Sequence, residues 1–285
     1  MPTAIDIVES LKAKKSVKVG DIARVIEDFA PKSLQESYDN TGLQVGDPEM
    51  PVTAALLCLD VTEEILDEAM QRQCNLVISH HPLIFRGLKE ITGRTATERM
   101  VIKAIRNNIA IYAAHTNLDS AWDGVSHEMA HMLSMRSIEV LEPKECGTFD
   151  PISGEECRAG LGVIGTISPT PRLEFLRKVK ETFGVKALRY SRQSPQLVVK
   201  RVALCGGAGA SLIREAIARG ADAIITGDVK YHDFSGFGLD IIIADIGHYE
   251  SELCARNIFS RIIRDKYPDC LIYFAEEETN PIGVL

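Results

Sequence analysis

The chain has 285 residues, of which 45% are hydrophobic and 25% are charged, a balance typical of a folded globular protein rather than a disordered one. Its formal net charge of −8 disfavours a protein whose overall field attracts nucleic acid or an anionic membrane. The amino terminus lacks an apolar signal core and no apolar stretch approaches bilayer length, so we expect a soluble cytoplasmic protein.

The seven cysteines are an odd number and include no C-x-x-C pair. Several lie inside apolar runs, as Cys58 does between Leu57 and Leu59. This usage predicts reduced, mostly buried thiols rather than a disulfide framework.

The first part of the chain alternates helical and strand-like segments. Apolar residues at helical spacing predict a helix over 18–29, which Pro31 ends, and a stretch rich in turn formers follows at 38–46. The next expected elements are a strand over 54–60, a helix capped by Thr62 and running to about 73, a strand ending at His80 and His81, a helix over 97–107 and a strand over 109–114. This alternation predicts right-handed parallel crossovers.

The second part begins with weaker patterns and then repeats the strand and helix alternation. Over 120–196 we expect a helix at 124–135, irregular surface chain at 142–158, a glycine-interrupted strand at 161–167 and a helix from Pro171 to about 183. The later elements are a strand over 202–205, a glycine turn at 206–209, a helix over 211–219, strands over 223–226 and 241–244, a helix over 250–266 and a strand over 271–274. The similar order favours two halves of related βαβ layout.

Two adjacent histidines stand where a buried strand stops. Leu76 to Ile78 is apolar on both faces, and His80, His81 and Pro82 follow it. Successive side chains of a regular strand point to opposite faces, so both imidazoles can serve one site only if the chain bends there, which Pro82 favours. The alternative is one histidine in the core and one at the surface.

A second group of possible ligands follows other predicted strands. His248 and Glu252 are four residues apart, so on a helix they share one face, and Asp119 lies just past the strand over 109–114. Together with the histidine pair these residues suit a dinuclear site for two divalent ions such as Zn, Mn or Fe. Taken alone, a His/Glu pair at this spacing is more often a solvated helix face.

The segment His127-Glu-Met-Ala-His131 spells the H-E-x-x-H motif of zinc proteases. A protease needs a third ligand, and no clear one follows. The competing interpretation is an amphipathic helix whose polar face happens to carry two histidines.

Two further stretches are weaker candidates for substrate contacts. The turn containing Gly206, Gly207 and Gly209 precedes a helix, an arrangement that can direct backbone N–H groups toward an anion, although a tight turn explains the glycines equally well. Lys230 and His232 follow the strand over 223–226, where they form either a polar loop or groups for substrate contact and acid/base help.

Five stretches in register resemble the motifs of the Nif-three-like family, whose members are also called GTP cyclohydrolase I type 2 homologues. The stretches are Tyr38-Asp-Asn-Thr-Gly-Leu-Gln-Val-Gly46, Ile78-Ser-His-His-Pro-Leu-Ile-Phe85, Ala114-His-Thr-Asn-Leu-Asp119, Thr226-Gly-Asp-Val-Lys-Tyr-His232 and Gly247-His-Tyr-Glu-Ser-Glu252. The resemblance runs from about residue 20 to the end and matches the shorter members, which lack a large central insert.

The resemblance implies one unit over 1–285 with a two-lobed α/β fold of mainly parallel strands. Approximate lobes are 1–125 and 196–285, joined by 126–195, with a dinuclear metal site between them. A homohexamer is the assembly that the resemblance implies.

The same resemblance implies ligand assignments. His81 and Asp119 would bind one metal, and His80 and His248 the other. Glu252 would bridge the two ions. His115 and His232 would line the site as acid/base groups.

Three functions follow as hypotheses. The first is a metal-dependent hydrolase acting on a nucleotide, such as GTP, or on another phosphorylated small molecule. The second is a non-enzymatic metal-binding protein that acts in regulation through a protein partner. The third is the zinc protease at His127.

Overall fold

The computed structural model describes residues 16–144, 159–192 and 194–285. The first of these ranges contains ten helices and strands that the argument uses. They are α1 (Val19–Phe29), β1 (Gly42–Val45), β2 (Ala55–Cys58), α2 (Glu63–Gln71), β3 (Leu76–Ser79), α3 (Ala96–Arg106), β4 (Ala110–Ala113), α4 (Thr116–Ser120) and α5 (Val125–Met132), followed by β5 (Arg136–Lys144). A 3₁₀ helix at Lys32–Leu34 follows α1.

The remaining ranges continue this numbering. Their elements are β6 (Ala159–Pro171), α6 (Arg172–Thr182), β7 (Arg189–Tyr190), β8 (Val198–Leu204), α7 (Ile213–Ala218), β9 (Ala223–Thr226), α8 (Tyr231–Phe237), β10 (Ile242–Asp245), α9 (His248–Glu252), α10 (Ala255–Lys266) and β11 (Ile272–Phe274). A 3₁₀ helix at Ala210–Leu212 precedes α7.

The first sheet has the strand order β1-β4-β3-β2-β11. Strands β11, β2, β3 and β4 are parallel, and β1 is antiparallel to β4. In the parallel register Cys58 lies beside Ser79, and Ser79 lies beside Ala113. The carboxyl ends of β2, β3 and β4 are therefore level, and the residues after them emerge at one edge of the sheet.

The second sheet has the order β5-β6-β8-β9-β10-β7. Strands β8, β9 and β10 are parallel, whereas β5, β6 and β7 pair antiparallel. The expectation of mainly parallel strands is thus corrected to two mixed sheets. Of the antiparallel strands, β1 lies in a turn-rich stretch and β5 and β7 expose charged residues, whereas β6 contains the glycine-interrupted strand that the sequence predicts.

A shared apolar core joins the two sheets. One cluster of buried side chains includes Ile78 and Tyr112 from the first sheet, Ile22 of α1, Phe259 of α10 and Ile225 from the second sheet. Each sheet is covered on its other face by a separate cluster. Because α1 and α10 present apolar residues at helical spacing, they can bury one face between the sheets.

Most predicted elements are found, with shifted ends. Thr62 caps α2 as expected, since its hydroxyl accepts a hydrogen bond from the N–H of Ile65 at 3.2 Å. The helix expected over 250–266 is instead two helices, α9 and α10. The chain expected to be irregular over 142–158 belongs to β5 up to Lys144, and 145–158 lie outside the described residues.

The expected lobes, 1–125 and 196–285, stay a prediction, although β11 from the carboxyl end pairs with β2 in the first sheet. Five cysteines in the described part are free, and four of these are buried. Cys146 and Cys157 lie outside it. Every helix of the described ranges is too short or too polar to cross a lipid bilayer.

Candidate metal centre

The bend expected after β3 is present. Ser79 donates a hydrogen bond from its hydroxyl to the carbonyl oxygen of His81 at 2.7 Å, which draws the chain out of the strand direction. The rings of His80 and His81 lie side by side with centroids 5.2 Å apart. His115, after β4, lies 5.4 Å from the ring of His80 and 5.3 Å from that of His81. The level strand ends of the first sheet therefore bring three imidazoles together.

The second sheet contributes a helix that points its side chains at the same place. Gly247, with φ of +88°, turns the chain from β10 into α9. His248 and Glu252 lie one helical turn apart, and one Glu252 oxygen, Oε2, is 2.9 Å from His248 Nε2. The same oxygen is 2.9 Å from His81 Nε2. The expected convergence of His248 and Glu252 on the histidine pair is present.

Asp119 completes a second group with His80. His80 Nε2 lies 3.5 Å from Asp119 Oδ1 and 3.7 Å from Glu252 Oε1. His80 Nε2 and Asp119 Oδ1 are buried and have no hydrogen-bond partner in the described part of the chain. Buried polar atoms are rarely left unpaired, so this pair marks a place where a cation fits.

The ligand atoms fall into overlapping groups, each within 4.8 Å. These groups are His81, His248 and Glu252; His80, Asp119 and Glu252; and His80, His81 and His115. The pairing implied by the family resemblance, His81 with Asp119 and His80 with His248, is not the one that the geometry favours. Glu252 nevertheless belongs to both carboxylate-containing groups, one oxygen toward each, as a bridging position requires.

Each of the four imidazoles is held through its Nδ1 atom by an oxygen. The carbonyl oxygen of Ala114 lies 2.8 Å from Nδ1 of His80, which therefore carries its proton there and leaves Nε2 as a lone pair. The other three are held by carboxylates, namely His81 by Asp60 at 2.9 Å, His115 by Asp39 at 2.9 Å and His248 by Asp228 at 2.8 Å. Fixing one ring nitrogen orients the other, which is how proteins prepare histidines as metal ligands.

The charges of the group are strongly interdependent. Burial lowers the pKa of His81, but its hydrogen bonds with Asp60 and Glu252 outweigh this and raise the pKa to about 10. The hydrogen bond with Glu252 raises the pKa of His248 to about 9. Burial opposes the charge of Glu252, yet the surrounding histidines hold its pKa well below the usual range. Burial raises the pKa of Asp119. A bound cation would take the place of the protons on His81 and His248.

The backbone N–H groups of the three glycines in the turn at 206–209 already have hydrogen-bond partners, unlike those of a turn that is open to an anion. The N–H of Gly207 donates to Ser251 Oγ at 2.9 Å, and that of Gly209 donates to Thr226 Oγ1 at 2.8 Å. The N–H of Gly206 reaches Ser126 Oγ at 3.4 Å. A Cβ atom on Gly207 would lie 2.1 Å from Glu252 Oε1, so this glycine makes room for the carboxylate.

The structure does not bring His232 or Lys230 into the cluster. His232 is exposed on α8 and its ring contacts Tyr231, with centroids 5.4 Å apart. Lys230 is exposed and lines a cavity together with Asp228, the carboxylate that holds His248. Both remain candidates for substrate contacts only as predictions from sequence.

The H-E-x-x-H segment forms no metal group within the described residues. His127 on α5 is buried against Trp122, with ring centroids 4.2 Å apart. His131 is exposed and lies 3.3 Å from Asp123 through its Nε2 atom. The two histidines have different surroundings, so this geometry gives the zinc-protease hypothesis no support.

Sequence reasoning missed the three carboxylates that hold the imidazoles, Asp39, Asp60 and Asp228. A signal was available, because Asp60 and Asp228 each stand two residues after a strand, β2 or β9. Asp39 is in the turn-rich stretch before β1. The partner of each could not be read from the sequence, because the contacts join distant parts of the chain.

The donor set consists of imidazole nitrogens and carboxylate oxygens, which suits borderline divalent ions such as Zn, Mn or Fe. Together with the two mixed α/β sheets, it defines a class of α/β proteins with a candidate metal site at strand ends. The family model of Duf34/NIF3 (NGG1p interacting factor 3) matches residues 17–281, and the chain belongs to this family.

Similar proteins agree with this assignment. A Clostridium acetobutylicum protein named GTP cyclohydrolase 1 type 2 homolog is 38% identical over 239 residues, covering 83% of this chain and 86% of the relative. A Lactococcus lactis protein of the same name is 36% identical, covering 93% and 98%. Among solved structures, a Bacillus cereus protein related to NIF3 has a TM-score of 0.84 at 26% identity, covering 95% of this chain and 100% of the other.

Proposed function

We propose that the chain binds two divalent metal ions and hydrolyses a nucleotide or another phosphorylated small molecule. The observation that carries the proposal is a set of four histidines, each held at Nδ1, three of which direct Nε2 toward one carboxylate, Glu252. This preparation places His81 Nε2 and His248 Nε2 only 3.3 Å apart, so both nitrogens can reach one ion. Two bound ions would supply an activated water and polarise the bond to be cleaved.

The residues of the chain divide this work. Glu252 holds one oxygen toward His81 and His248 and the other toward His80, so it suits a bridging role. Asp119 and His80 form the more buried group. The other group, which Glu252 shares, includes His81 and His248. Both histidines are partly exposed, so they face the side from which a substrate can approach.

His115 is suited to move a proton. Asp39 lies 2.9 Å from His115 Nδ1, and it also accepts a hydrogen bond from the N–H of Thr116 at 3.0 Å. Burial opposes the charge on Asp39, but the hydrogen bonds from His115 and Thr116 hold its pKa well below the usual range. An ionised carboxylate on one ring nitrogen stabilises the imidazole when the other nitrogen takes up a proton.

The name GTP cyclohydrolase 1 type 2 homolog, which the relatives share, suggests GTP as the first substrate to test. Metal content and turnover should be measured on the same preparation, with formate and phosphate release followed for GTP and for a panel of nucleotides and phosphate esters. His81→Ala and Glu252→Ala should lose both metal and turnover. His131→Ala is the matched control, because it removes an exposed histidine outside the cluster.

Equal turnover in the wild type and both cluster variants would refute the proposed site. Metal binding without turnover of any compound would instead favour the second candidate, a metal-binding protein that acts through a protein partner. The homohexamer implied by the family resemblance also stays a prediction, which light scattering on the metal-loaded protein can test.

A further inference from the structure

A cavity of about 350 Å³ lies beside the carboxyl end of α5, away from the candidate metal centre. Three cationic side chains, Arg136, Lys178 and Lys200, contribute to its lining, and no carboxylate does. We call it the cationic cavity. In a chain of net charge −8, a concave surface with three cations and no acid is a local reversal of the overall charge.

The three cationic side chains of the cationic cavity form no ion pair in the described ranges, although Asp222 accepts a hydrogen bond from the backbone N–H of Lys200 at 2.8 Å. Arg136, Lys178 and Lys200 are all exposed, and none of them pairs with a carboxylate within the described ranges. Lys178 Nζ donates to the carbonyl oxygen of Leu133 at 3.4 Å, which offsets the negative end of the α5 dipole. The remaining field in the cavity therefore favours an anion.

The pairing of β6 with each of its two neighbouring strands is irregular next to Thr166, a residue of the cavity lining. Thr166 of β6 pairs with Arg136 on one side and with Arg201 on the other. On the β5 side, residues 137–138 lie opposite residue 165, and on the β8 side, residues 167–169 lie opposite Lys200. Bulges of this kind redirect side chains and are common beside binding sites.

Hydroxyl groups complete the lining. The hydroxyl of Thr166 donates to the carbonyl oxygen of Arg136, and that of Thr170 donates to the carbonyl oxygen of Ser168. The hydroxyls of Ser134 and Ser168 have no partner in the described part of the chain and can donate to a ligand. Ser134 has φ of +56°, a conformation that non-glycine residues seldom adopt, and such strain often accompanies a binding site.

We propose that the cationic cavity binds the phosphate groups of a small anionic molecule. Arginine can contact phosphate oxygens in a bidentate manner, lysines add point charges, and serine hydroxyls add neutral donors. The volume is at the lower end of the range for small-molecule sites, which suits a compact di- or triphosphate. A single concavity, rather than a basic stripe along the surface, disfavours nucleic acid as the ligand.

This site is separate from the metal centre and does not depend on the proposed function. Helix α5 has eight residues and is about 12 Å long. Its carboxyl end adjoins the cationic cavity, whereas Ser126 in its first turn contacts Gly206 near Glu252. The cationic cavity and the histidine cluster therefore lie toward opposite ends of α5, and loss of one site should leave the other intact.

The test is calorimetric titration of the metal-loaded protein with inorganic pyrophosphate and with adenosine triphosphate, repeated in the Glu252→Ala background so that binding at the metal centre is not counted as binding at the cavity. The double variant Arg136→Gln, Lys200→Gln should bind both at least tenfold more weakly at the cavity, with metal content and melting temperature unchanged. The matched control is Lys186→Gln, Arg264→Gln, which removes the same charge from exposed positions outside the cavity. Its affinity should stay within twofold of the wild type.

Pyrophosphate and adenosine triphosphate share the phosphate chemistry that the cavity recognises. Comparing their affinities therefore shows whether the cavity prefers an inorganic anion or the phosphates of an organic molecule. Equal affinities of the wild type and the Arg136→Gln, Lys200→Gln variant for both ligands would overturn the proposal. The proposal would also be overturned if the Arg136→Gln, Lys200→Gln variant lost binding to a single-stranded oligonucleotide but not to the two phosphate ligands. In that case the cavity would be part of a nucleic-acid surface.

Discussion

His81 and Glu252 are separated by 171 positions in the sequence, yet His81 Nε2 lies 2.9 Å from Glu252 Oε2. One residue follows a strand of the first sheet, and the other belongs to the helix after the last parallel strand of the second sheet. This contact therefore joins the two sheets at the strand ends that carry the candidate metal ligands. Any change that separates the sheets should also disperse the candidate metal centre.

Replacing Glu252 with glutamine should lower the bound metal more than any other single change. The substitution keeps the shape of the side chain but removes the charge shared by the two carboxylate-containing groups, so each of the two proposed ions would lose a ligand. We expect at most one ion per chain after dialysis, measured by plasma mass spectrometry. His131→Gln is the control and should retain the wild-type content. Full metal content in Glu252→Gln would contradict the bridging role.

Replacing Gly207 with alanine should both destabilise the protein and displace Glu252. Gly207 has φ of +59°, and an added Cβ would meet Glu252 Oε1 at 2.1 Å. Gly220→Ala is a matched control, because Gly220 has φ of +70° with nothing within 4 Å of the added atom. The control should cost about 1 kcal/mol through backbone strain alone, and Gly207→Ala about 1 to 3 kcal/mol more.

Chemical denaturation measures these costs, and metal content shows whether the carboxylate has moved. Gly220→Ala should bind metal normally, whereas Gly207→Ala should lose it. Similar losses of stability and normal metal content in both variants would show that the close approach of Gly207 to Glu252 does not matter for metal binding.

The edge position of the site could be predicted from sequence because its causes are local. A buried strand that stops at His80 and a His/Glu pair at helical spacing are both short-range patterns. The grouping of the possible ligand atoms could not be predicted. It depends on which of two neighbouring imidazoles faces α9, and this is set by the packing of one sheet against the other.

The antiparallel strands and helix α8 illustrate the same limit. Strand β7 has two residues, both exposed, and α8 has no buried residue, so neither has an apolar pattern to detect. Strand β5 exposes three charged residues, Arg136, Glu139 and Glu142, and buries only Val140 and Leu141. Pairing with β6 determines its conformation, and that long-range contact has no signature in a single segment.

The stability of the protein should fall between pH 6.5 and 4 because of His127. Burial lowers the pKa of His127 to about 4, more than the nearby Asp123 raises it, and His131 lowers it further. The unfolded chain takes up a proton near pH 6.5, well above the folded pKa, so the stability is fully present above 6.5 and is lost as the pH falls toward 4.

His127→Leu should remove this dependence, since leucine fills the buried position without titrating. The wild type should lose on the order of 2 kcal/mol more than the variant between pH 7 and pH 4, measured by urea denaturation. His131→Gln, which changes an exposed histidine, should keep nearly the wild-type dependence. Parallel curves for the wild type and His127→Leu would contradict the role of burial.

Asp39→Asn should separate proton transfer from metal binding. Asp39 holds His115 at Nδ1 and also accepts from Thr116, so an amide of the same size keeps part of the contact but loses the charge that stabilises a protonated imidazole. Turnover per bound metal should fall about 10- to 100-fold and its pH profile should change, while metal content stays near that of the wild type.

Asp60→Asn is the matched comparison, because Asp60 holds His81 in the same way, at the same distance of 2.9 Å. There the expected loss is in metal affinity, about 10- to 100-fold, with turnover per bound metal restored when metal is in excess. Thermal melting of both variants establishes that they are folded. If Asp39→Asn instead loses metal as Asp60→Asn does, with normal turnover per ion, then His115 is a ligand-positioning residue and the proton must travel by another group.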